Sequence, residues 1–340
     1  MASTPEKVLQ DLKGGKYAPV YFLQGDESYY IDTISDFIEN NCLSEAEKGF
    51  NQTVLYGKET PMNVILNNAK RFPMMSERQV VIVKEAQEIP DLGKEIGDKM
   101  LEAYVQNPLP STVLVFCHKY KTLDGRKSLG KTVDKFAVLV TTKKLYDNKS
   151  PEWVTNYLRE KGFKITMQAA VLISESIGND LNRLANEIDK LLINIPKGTE
   201  VNEDLVEKNV GISKEYNVFE LQKALIQKDV LKANRILKYF DANPKDNPLI
   251  PIVTVLFNFF SKILLVHAAS NKTESNLVKL LQVNPYFVKD YTKAATAYPP
   301  LKVINIIHYL READLKSKGI NTMSADSGEI LKELIFKILH

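Results

Sequence analysis

Short runs of consecutive apolar residues alternate with longer segments whose apolar positions follow helical spacing over residues 1–142. The helical segment after Gly25 has its apolar side chains on one face, and it separates the first two apolar runs. Strands that are separated by helices pair in parallel, so we predict an α/β domain with a mostly parallel sheet covered on both faces. The apolar runs predict five strands at Pro19–Gln24, Gln52–Tyr56, Val80–Val83, Thr112–Cys117 and Ala137–Thr141.

The segment between the second and third strands predicts a short helix. Thr60 supplies a capping hydroxyl, and Pro61 is suited to the first turn. The spacing predicts that Val64, Ile65 and Ala69 point inward. Residues before a proline avoid helical geometry, so the helix is expected to end near Phe72, which would close it.

An apolar cluster follows this helix in the connector ahead of the third strand. It consists of Phe72, Met74 and Met75. Connectors usually run over the surface, where apolar clusters are a liability. Two interpretations stay open on the residues alone: the cluster plugs the core, or it is offered to a partner.

Beyond Thr142 the sequence predicts amphipathic helices and no further strand. Helices are expected at Pro151–Lys161, from Thr166 onward and at Asp180–Ile193, and longer helices continue from Tyr216. We therefore predict three domains. These are an α/β domain over residues 1–142, a small helical domain over 143–212 and a larger helical domain over 213–340.

Composition limits the function classes. The chain has 44% hydrophobic and 26% charged residues with a net charge of +3, which is too small for binding nucleic acid unaided. Any contact with DNA must be local or shared with other subunits. The two cysteines and four histidines are scattered without metal-ligand spacing, so we predict no metal site and no disulfide framework.

Targeting signals are not expected in this sequence. The first twenty residues lack a basic start followed by an apolar core, which predicts no signal peptide. The apolar stretch Pro248–Ala269 is interrupted by polar residues such as Asn258 and Lys262, so we do not expect it to span a membrane. A cytoplasmic location follows as an expectation.

The turn after the first strand is unsuited to nucleotide binding. A phosphate-binding loop needs a second glycine, a lysine and a hydroxyl, but Tyr30, Ile31 and Asp32 occupy those positions. The third strand ends in Lys84, where an active ATPase has a carboxylate that holds magnesium. The pattern predicts no bound ATP, no other cofactor and no catalytic residue.

Segments spread over all three predicted domains resemble the delta subunit family of the bacterial DNA polymerase III clamp loader, in the family's order. They are PVYFLQGDESYYID (Pro19–Asp32), RFPMMSERQVVIVKEA (Arg71–Ala86), GNDLNRLANEIDKL (Gly178–Leu191), FELQKALIQKDVLK (Phe219–Lys232) and LREADLKSK (Leu310–Lys318). The resemblance implies an AAA+-type plan: an α/β domain, a small helical lid-like domain and a helical C-terminal collar domain.

The resemblance also implies a function without intrinsic catalysis. A delta subunit belongs to the DNA polymerase III holoenzyme, and it binds and opens the ring-shaped sliding clamp, the beta subunit, for loading onto primed DNA. ATP-binding subunits and a delta-prime-like subunit would be its partners. The family presents an apolar pair, usually leucine and phenylalanine, to a pocket on the clamp. Met74 and Met75 match that pair, and Phe72 matches a neighbouring contact.

A basic run follows the fourth strand, and two interpretations of it stay open. Its side chains either contact DNA phosphates within the assembly or form a solvated helix face. Two other classes also remain for the whole chain: an active AAA+ ATPase or helicase-like motor, and a free-standing DNA-binding protein. The basic residues are Lys119, Lys121, Arg126, Lys127 and Lys131.

Overall fold

The computed structural model describes residues 3–210, 216–320 and 326–340. The chain divides into two compact units, Met1–Leu145 and Tyr146–His340. The predicted boundary between residues 212 and 213 lies outside the described residues. The division of the second unit into a lid-like and a collar domain therefore stays a prediction.

The first unit is built on a five-stranded sheet in which every neighbouring pair is parallel. The spatial order of the strands is β2-β3-β4-β1-β5. All five predicted strands are present, with bounds that differ from the predicted ones by at most two residues. The strands are β1 (Val20–Gly25), β2 (Gln52–Tyr56), β3 (Gln79–Lys84), β4 (Thr112–Lys119) and β5 (Val138–Thr142).

Helices cover both faces of this sheet, as predicted. They are α1 (Pro5–Lys13), α2 (Ser28–Asn41), α3 (Glu45–Asn51), α4 (Met62–Ala69), α5 (Glu95–Gln106) and α6 (Ser128–Phe136). Alternate strand side chains point to opposite faces. Phe22 and the strand residues on the same face of the sheet pack with α4, α5 and α6. Leu23 and the strand residues on the opposite face pack with α1 and α2. The predicted α/β fold, a parallel sheet covered on both faces by helices, is confirmed.

The start of α4 differs from the prediction. Pro61 occupies the N-cap position, and the Thr60 side chain does not cap the helix. The Asp91 carboxylate, from a distant part of the chain, instead accepts a hydrogen bond of 2.9 Å from the backbone N–H of Met62. A tertiary contact therefore replaces the local cap that the sequence suggested.

The buried face and the end of α4 also differ from the prediction. Its buried side chains are Met62, Ile65, Leu66 and Ala69, which is the i, i+3, i+4, i+7 spacing of one helical face. Val64 lies outside this stripe and is exposed. The expectation that Val64 points inward is therefore wrong, whereas Ile65 and Ala69 are buried as predicted. The helix ends at Ala69, so the Phe72 side chain does not close it.

The second unit is mainly helical. Its core is formed by helices α11, α12, α13, α15, α16 and α17. The expectation that no strand follows Thr142 is wrong, because the two-residue strands β6 and β7 pair in parallel. The elements of this unit are α7 (Ser150–Glu160), β6 (Lys164–Ile165), α8 (Met167–Ile177), α9 (Leu181–Ile193), β7 (Glu200–Val201), α10 (Glu203–Val210), α11 (Val218–Gln227), α12 (Val230–Ala242), α13 (Leu249–Ala268), α14 (Glu274–Leu281), α15 (Val288–Ala297), α16 (Pro300–Ser317) and α17 (Ser327–Leu339).

Helix α13 is long and apolar enough to cross a membrane by length and composition alone. In this structure it is a core helix: one stripe of its side chains, which includes Leu256, Phe260 and Ile263, is fully buried in the second unit. Burial against neighbouring helices accounts for this stripe, whereas Ile250, Phe257 and Leu265 of the same helix are exposed.

Candidate functional site

The connector, residues 70–78 between α4 and β3, carries its apolar side chains on the surface. Phe72 is 76% exposed, Met74 57% and Met75 104%. None of the three belongs to a hydrophobic core cluster of the first unit. The core-plug interpretation of this cluster is therefore wrong. An exposed apolar cluster of this kind is typical of a surface that binds a partner.

The connector lies at the amino-terminal edge of the sheet, because it leads into the first residue of β3. In a parallel sheet all strands start at one edge and end at the other. The turn that would hold a nucleotide follows the carboxyl end of β1 and lies at the opposite edge. The two sites considered from the sequence are therefore spatially separate.

Buried polar side chains fix the point at which the chain leaves α4. The carbonyl oxygen of Ala69 accepts hydrogen bonds from the Thr112 hydroxyl at 2.8 Å, the Tyr104 hydroxyl at 3.2 Å and the Gln79 amide at 3.3 Å. The Gln79 amide also donates to the carbonyl of Arg71. The last carbonyls of a helix need such partners, and here they tie the start of the connector to the sheet.

Helix α3 holds the middle of the connector. The side-chain amide of Asn51 donates to the carbonyl oxygen of Met74 at 2.9 Å, and its Oδ1 accepts from the Met74 N–H at 2.6 Å. Glu47, one turn earlier, accepts hydrogen bonds from Ser44 and from Ser76 of the connector. These hydrogen bonds, those from Ser44 foremost, hold the pKa of the Glu47 carboxyl below its usual range.

The turn at the opposite edge of the sheet shows why Gly25 is glycine. Its φ of 120° is unfavourable for other residues, and a β-carbon there would clash with the backbone of Thr142 in β5. The glycine thus serves close approach of two strands. At the start of α2 the Glu27 carboxylate is buried and accepts a hydrogen bond from the Tyr29 N–H at 3.2 Å. An internal carboxylate occupies the helix end that would otherwise attract phosphate.

Charges around this turn are the reverse of those in a nucleotide site. The two strands that end beside α2 contribute lysines, and the helix contributes carboxylates. Lys119 contacts Asp32 at 2.6 Å, and Lys84 contacts Glu39 at 3.1 Å and Asp36 at 3.5 Å. These pairs neutralise the lysines internally, and the carboxylates would repel a phosphate group.

His118 lies close to the same edge, in β4. Burial is the main cause that lowers its pKa, so the ring is neutral near pH 7. Its Nδ1 is 2.9 Å from the carbonyl oxygen of Lys121, and its ring lies beside Phe22. These contacts give the side chain a structural role.

The five basic candidates for DNA contact differ in whether they form ion pairs within the chain. Lys119 pairs with Asp32 as described above. Lys121 lies 3.8 Å from Glu88, and Arg126 makes a 3.0 Å contact with Asp124. The other two, Lys127 and Lys131 at the start of α6, are exposed and form no ion pair within the described residues. These two are the better candidates for phosphate contact, which stays a prediction.

Sequence reasoning missed the residues that hold the connector. Asn51, Gln79 and Thr112 are polar residues at the ends of a helix or strand, and their partners are 8–43 positions away. Spacing within one element gives no signal for such contacts. A buried polar residue must find a partner, but the partner is defined only by the fold.

Comparisons with known proteins agree with this geometry and cover both units. The sequence model for "DNA polymerase III, delta subunit" matches residues 21–143, and the model for its C-terminal domain matches residues 215–338. The DNA polymerase III subunit delta of Bacillus subtilis is 28% identical over 98% of this chain and 96% of its own length. A probable DNA polymerase III subunit delta of Aquifex aeolicus is 25% identical over 64% of this chain and 62% of its own.

A solved structure shows the same fold. The DNA clamp loader delta protein of Bacillus subtilis superposes with a TM-score of 0.61 at 27% identity, covering 98% of this chain and 99% of that one. The two family matches together span well over half of the residues, and both relatives with high coverage are delta subunits. The chain belongs to the delta subunit family of the DNA polymerase III clamp loader.

Proposed function

We propose that this chain binds the ring-shaped sliding clamp, the beta subunit, and opens it for loading onto primed DNA, without hydrolysing ATP itself. The observation that carries the proposal is the exposed apolar connector, whose backbone is fixed by α3 and by the ends of α4, β3 and β4. A rigid segment that presents exposed methionine and phenylalanine side chains suits an apolar pocket on a partner. Methionine is flexible enough to fit a pocket that usually receives leucine and phenylalanine.

The first turn supports the second half of the proposal. Gly25 serves strand packing, Glu27 occupies the start of α2, and Lys84 is paired with carboxylates. No metal-binding cluster of acidic, histidine or cysteine side chains occurs within the described residues. ATP-binding subunits and a delta-prime-like subunit of the assembly would then supply the nucleotide chemistry. A cytoplasmic location, where the chromosome is replicated, fits this role.

Clamp opening can be tested directly. Clamp rings are loaded onto nicked circular DNA, and this chain is added without ATP. A closed ring cannot leave circular DNA, so faster release of the clamp shows that the chain opens it. We expect release to increase with chain concentration. Binding without faster release would limit the function to clamp binding, and the absence of any binding would overturn the proposal.

The domain assignment is part of the same proposal. We infer that residues 143–212 act as a lid-like domain and residues 213–340 as a collar that packs against other clamp-loader subunits. Exposed apolar side chains on the collar helices, which include Leu301, Ile304 and Phe336, support it. DNA contact by Lys127 and Lys131 would take place inside the assembled loader.

A further inference from the structure

We propose that Asn51 is a positioning residue for clamp binding: its side-chain amide holds Met74 so that the methionine pair faces the clamp. This inference rests on the proposed clamp-binding function and adds a residue outside the connector to it. Asn51 is the last residue of α3 and is only 4% exposed, so its side chain does not itself reach a partner's surface.

The hydrogen bonds of Asn51 are fixed in direction by the groups they join. The Met74 N–H can only donate and the Met74 carbonyl can only accept, so the amide nitrogen and oxygen each have one assignment. The amide thus pairs with Met74 as a neighbouring strand would, across 23 residues of sequence. A third bond, from Nδ2 to the carbonyl of Glu47 at 3.2 Å, ties the amide to its own helix.

The connector needs the Asn51 hydrogen bonds because its exposed apolar side chains make few contacts that would fix its backbone. Met75 has a φ of 51°, in the left-handed region that non-glycine residues seldom adopt. Such a conformation persists only when the surroundings impose it. The Met75 side chain is fully exposed and packs against nothing that would impose it. The Asn51 bonds to the preceding residue and the Ser76 contact with Glu47 act on both sides of Met75.

A fixed connector lowers the cost of binding. Ordering a loop and its side chains on association reduces affinity, and a segment that is already held avoids this loss. Loss of the Asn51 bonds would free the backbone at Met74 and Met75 while their side chains stay intact. The expected effect on the clamp dissociation constant is an increase of about tenfold, because one to two immobilised side chains are affected.

The test compares three variants of the full chain with the wild type. Asn51→Ala removes all the amide's bonds, and Asn51→Asp keeps the shape but cannot donate to the Met74 carbonyl. Asn41→Ala is the matched control: its amide makes the same kind of bond to the carbonyl four residues earlier, at 2.8 Å to Phe37, but none to the connector. Clamp affinity is measured by surface plasmon resonance, and amide hydrogen exchange is followed at residues 72–76.

We expect both Asn51 variants to weaken clamp binding and to speed exchange at residues 72–76, with exchange in β1 and β4 unchanged. Asn41→Ala should do neither. The Asp variant places a carboxylate oxygen against the carbonyls of Met74 and Glu47, so its destabilisation has a different origin from that of the alanine variant. Unchanged exchange in β1 and β4 identifies the Asn51 variant that is folded, and that variant carries the test. Unchanged clamp affinity in both Asn51 variants, or a loss no larger than that of the control, would overturn the positioning role.

A double-mutant cycle separates positioning from a general structural effect. A residue that acts only through the methionine side chains has nothing to position once they are removed. Asn51→Ala should therefore add no further loss of affinity to Met74→Ala/Met75→Ala. An additive loss would show that Asn51 acts elsewhere. A wild-type chain that fails to bind the clamp would overturn the proposed function, whereas binding that ignores Asn51 overturns this inference alone.

Discussion

Replacing Met74 and Met75 with alanine tests the proposed contact surface most directly. Met75 is fully exposed and Met74 is more than half exposed, so truncation leaves no core cavity. Exposed substitutions usually change the free energy of unfolding by less than about 0.5 kcal/mol. A pair of buried core methionines would instead cost roughly 2–5 kcal/mol each. The melting temperature of the double variant should therefore stay close to that of the wild type.

Clamp affinity should respond strongly to the same change. Full burial of one methionine side chain contributes about 1.5–3 kcal/mol. Met75 can contribute nearly all of this on binding, and Met74 somewhat more than half, because the remainder is already covered in the free chain. Alanine retains the β-carbon, so the expected loss is about 2–4 kcal/mol, roughly 30-fold to 1000-fold in the dissociation constant.

The assay measures thermal melting and clamp affinity for each variant. Ile96→Ala is the control, since Ile96 is an exposed apolar residue, 74% exposed, on α5 outside the connector. Phe72→Ala should also weaken clamp binding without lowering the melting temperature, because α4 ends before Phe72. Clamp affinity retained in the methionine variant would refute the contact surface. A large fall in the melting temperature would instead show that Met74 and Met75 are packed in the core of the folded protein.

Three further predictions concern the other parts of the chain. Calorimetric titration with Mg-ATP should give no binding heat. Micromolar affinity would contradict the interpretation that the turn after β1 does not bind nucleotide. A chain that ends near Val210 should keep clamp binding but no longer co-purify with the other clamp-loader subunits; normal assembly would make the collar assignment wrong. Burial raises the pKa of the Glu220 carboxyl, but hydrogen bonds from Lys223 and Lys232 outweigh burial and lower this pKa below its usual range. The ion pairs of Glu220 therefore stabilise the fold at pH values above the pKa of the unfolded chain, and this stabilisation is lost as the pH falls through the pKa of the folded chain. Because both lysines are partly exposed to solvent, Glu220→Gln should lower the free energy of unfolding by only about 1 kcal/mol at pH 7 and by progressively less below pH ~4. Urea unfolding at pH 7 and at a pH below ~4 measures the difference.

The centre of the sheet of the first unit could be predicted because β1, β3 and β4 are buried on both faces. Such strands are continuous apolar runs, as in Val80–Val83 and Thr112–Cys117, and they stand out against the amphipathic helices between them. Helix α9 could be predicted equally well from its apolar spacing, since Leu181, Leu184 and Ile188 form its buried stripe. The two-residue strands β6 and β7 are too short to show any periodicity.

The candidate site could be predicted only in part from the sequence. The sequence located Phe72, Met74 and Met75, but it left open whether they are buried, because exposure depends on how α4 and β3 pack. It misplaced the cap of α4, since Thr60 and Pro61 fit a local rule that the distant Asp91 overrides. It gave no sign of Asn51, whose bonds to Met74 form only once α3 and the connector have been brought together.

The connector and the turn after β1 lie at opposite edges of the sheet, so the contacts that fix one do not involve the other. At the carboxyl edge, Asp32 and Glu39 of α2 pair with Lys119 and Lys84 of the neighbouring strands, where a nucleotide site needs groups that bind phosphate and magnesium. These ion pairs join α2 to the strand ends through contacts that the chain itself supplies. At the amino edge, the connector is held by groups that are likewise internal. The apolar side chains of the connector are therefore held in place by contacts within the first unit alone, which is what the proposed clamp binding requires.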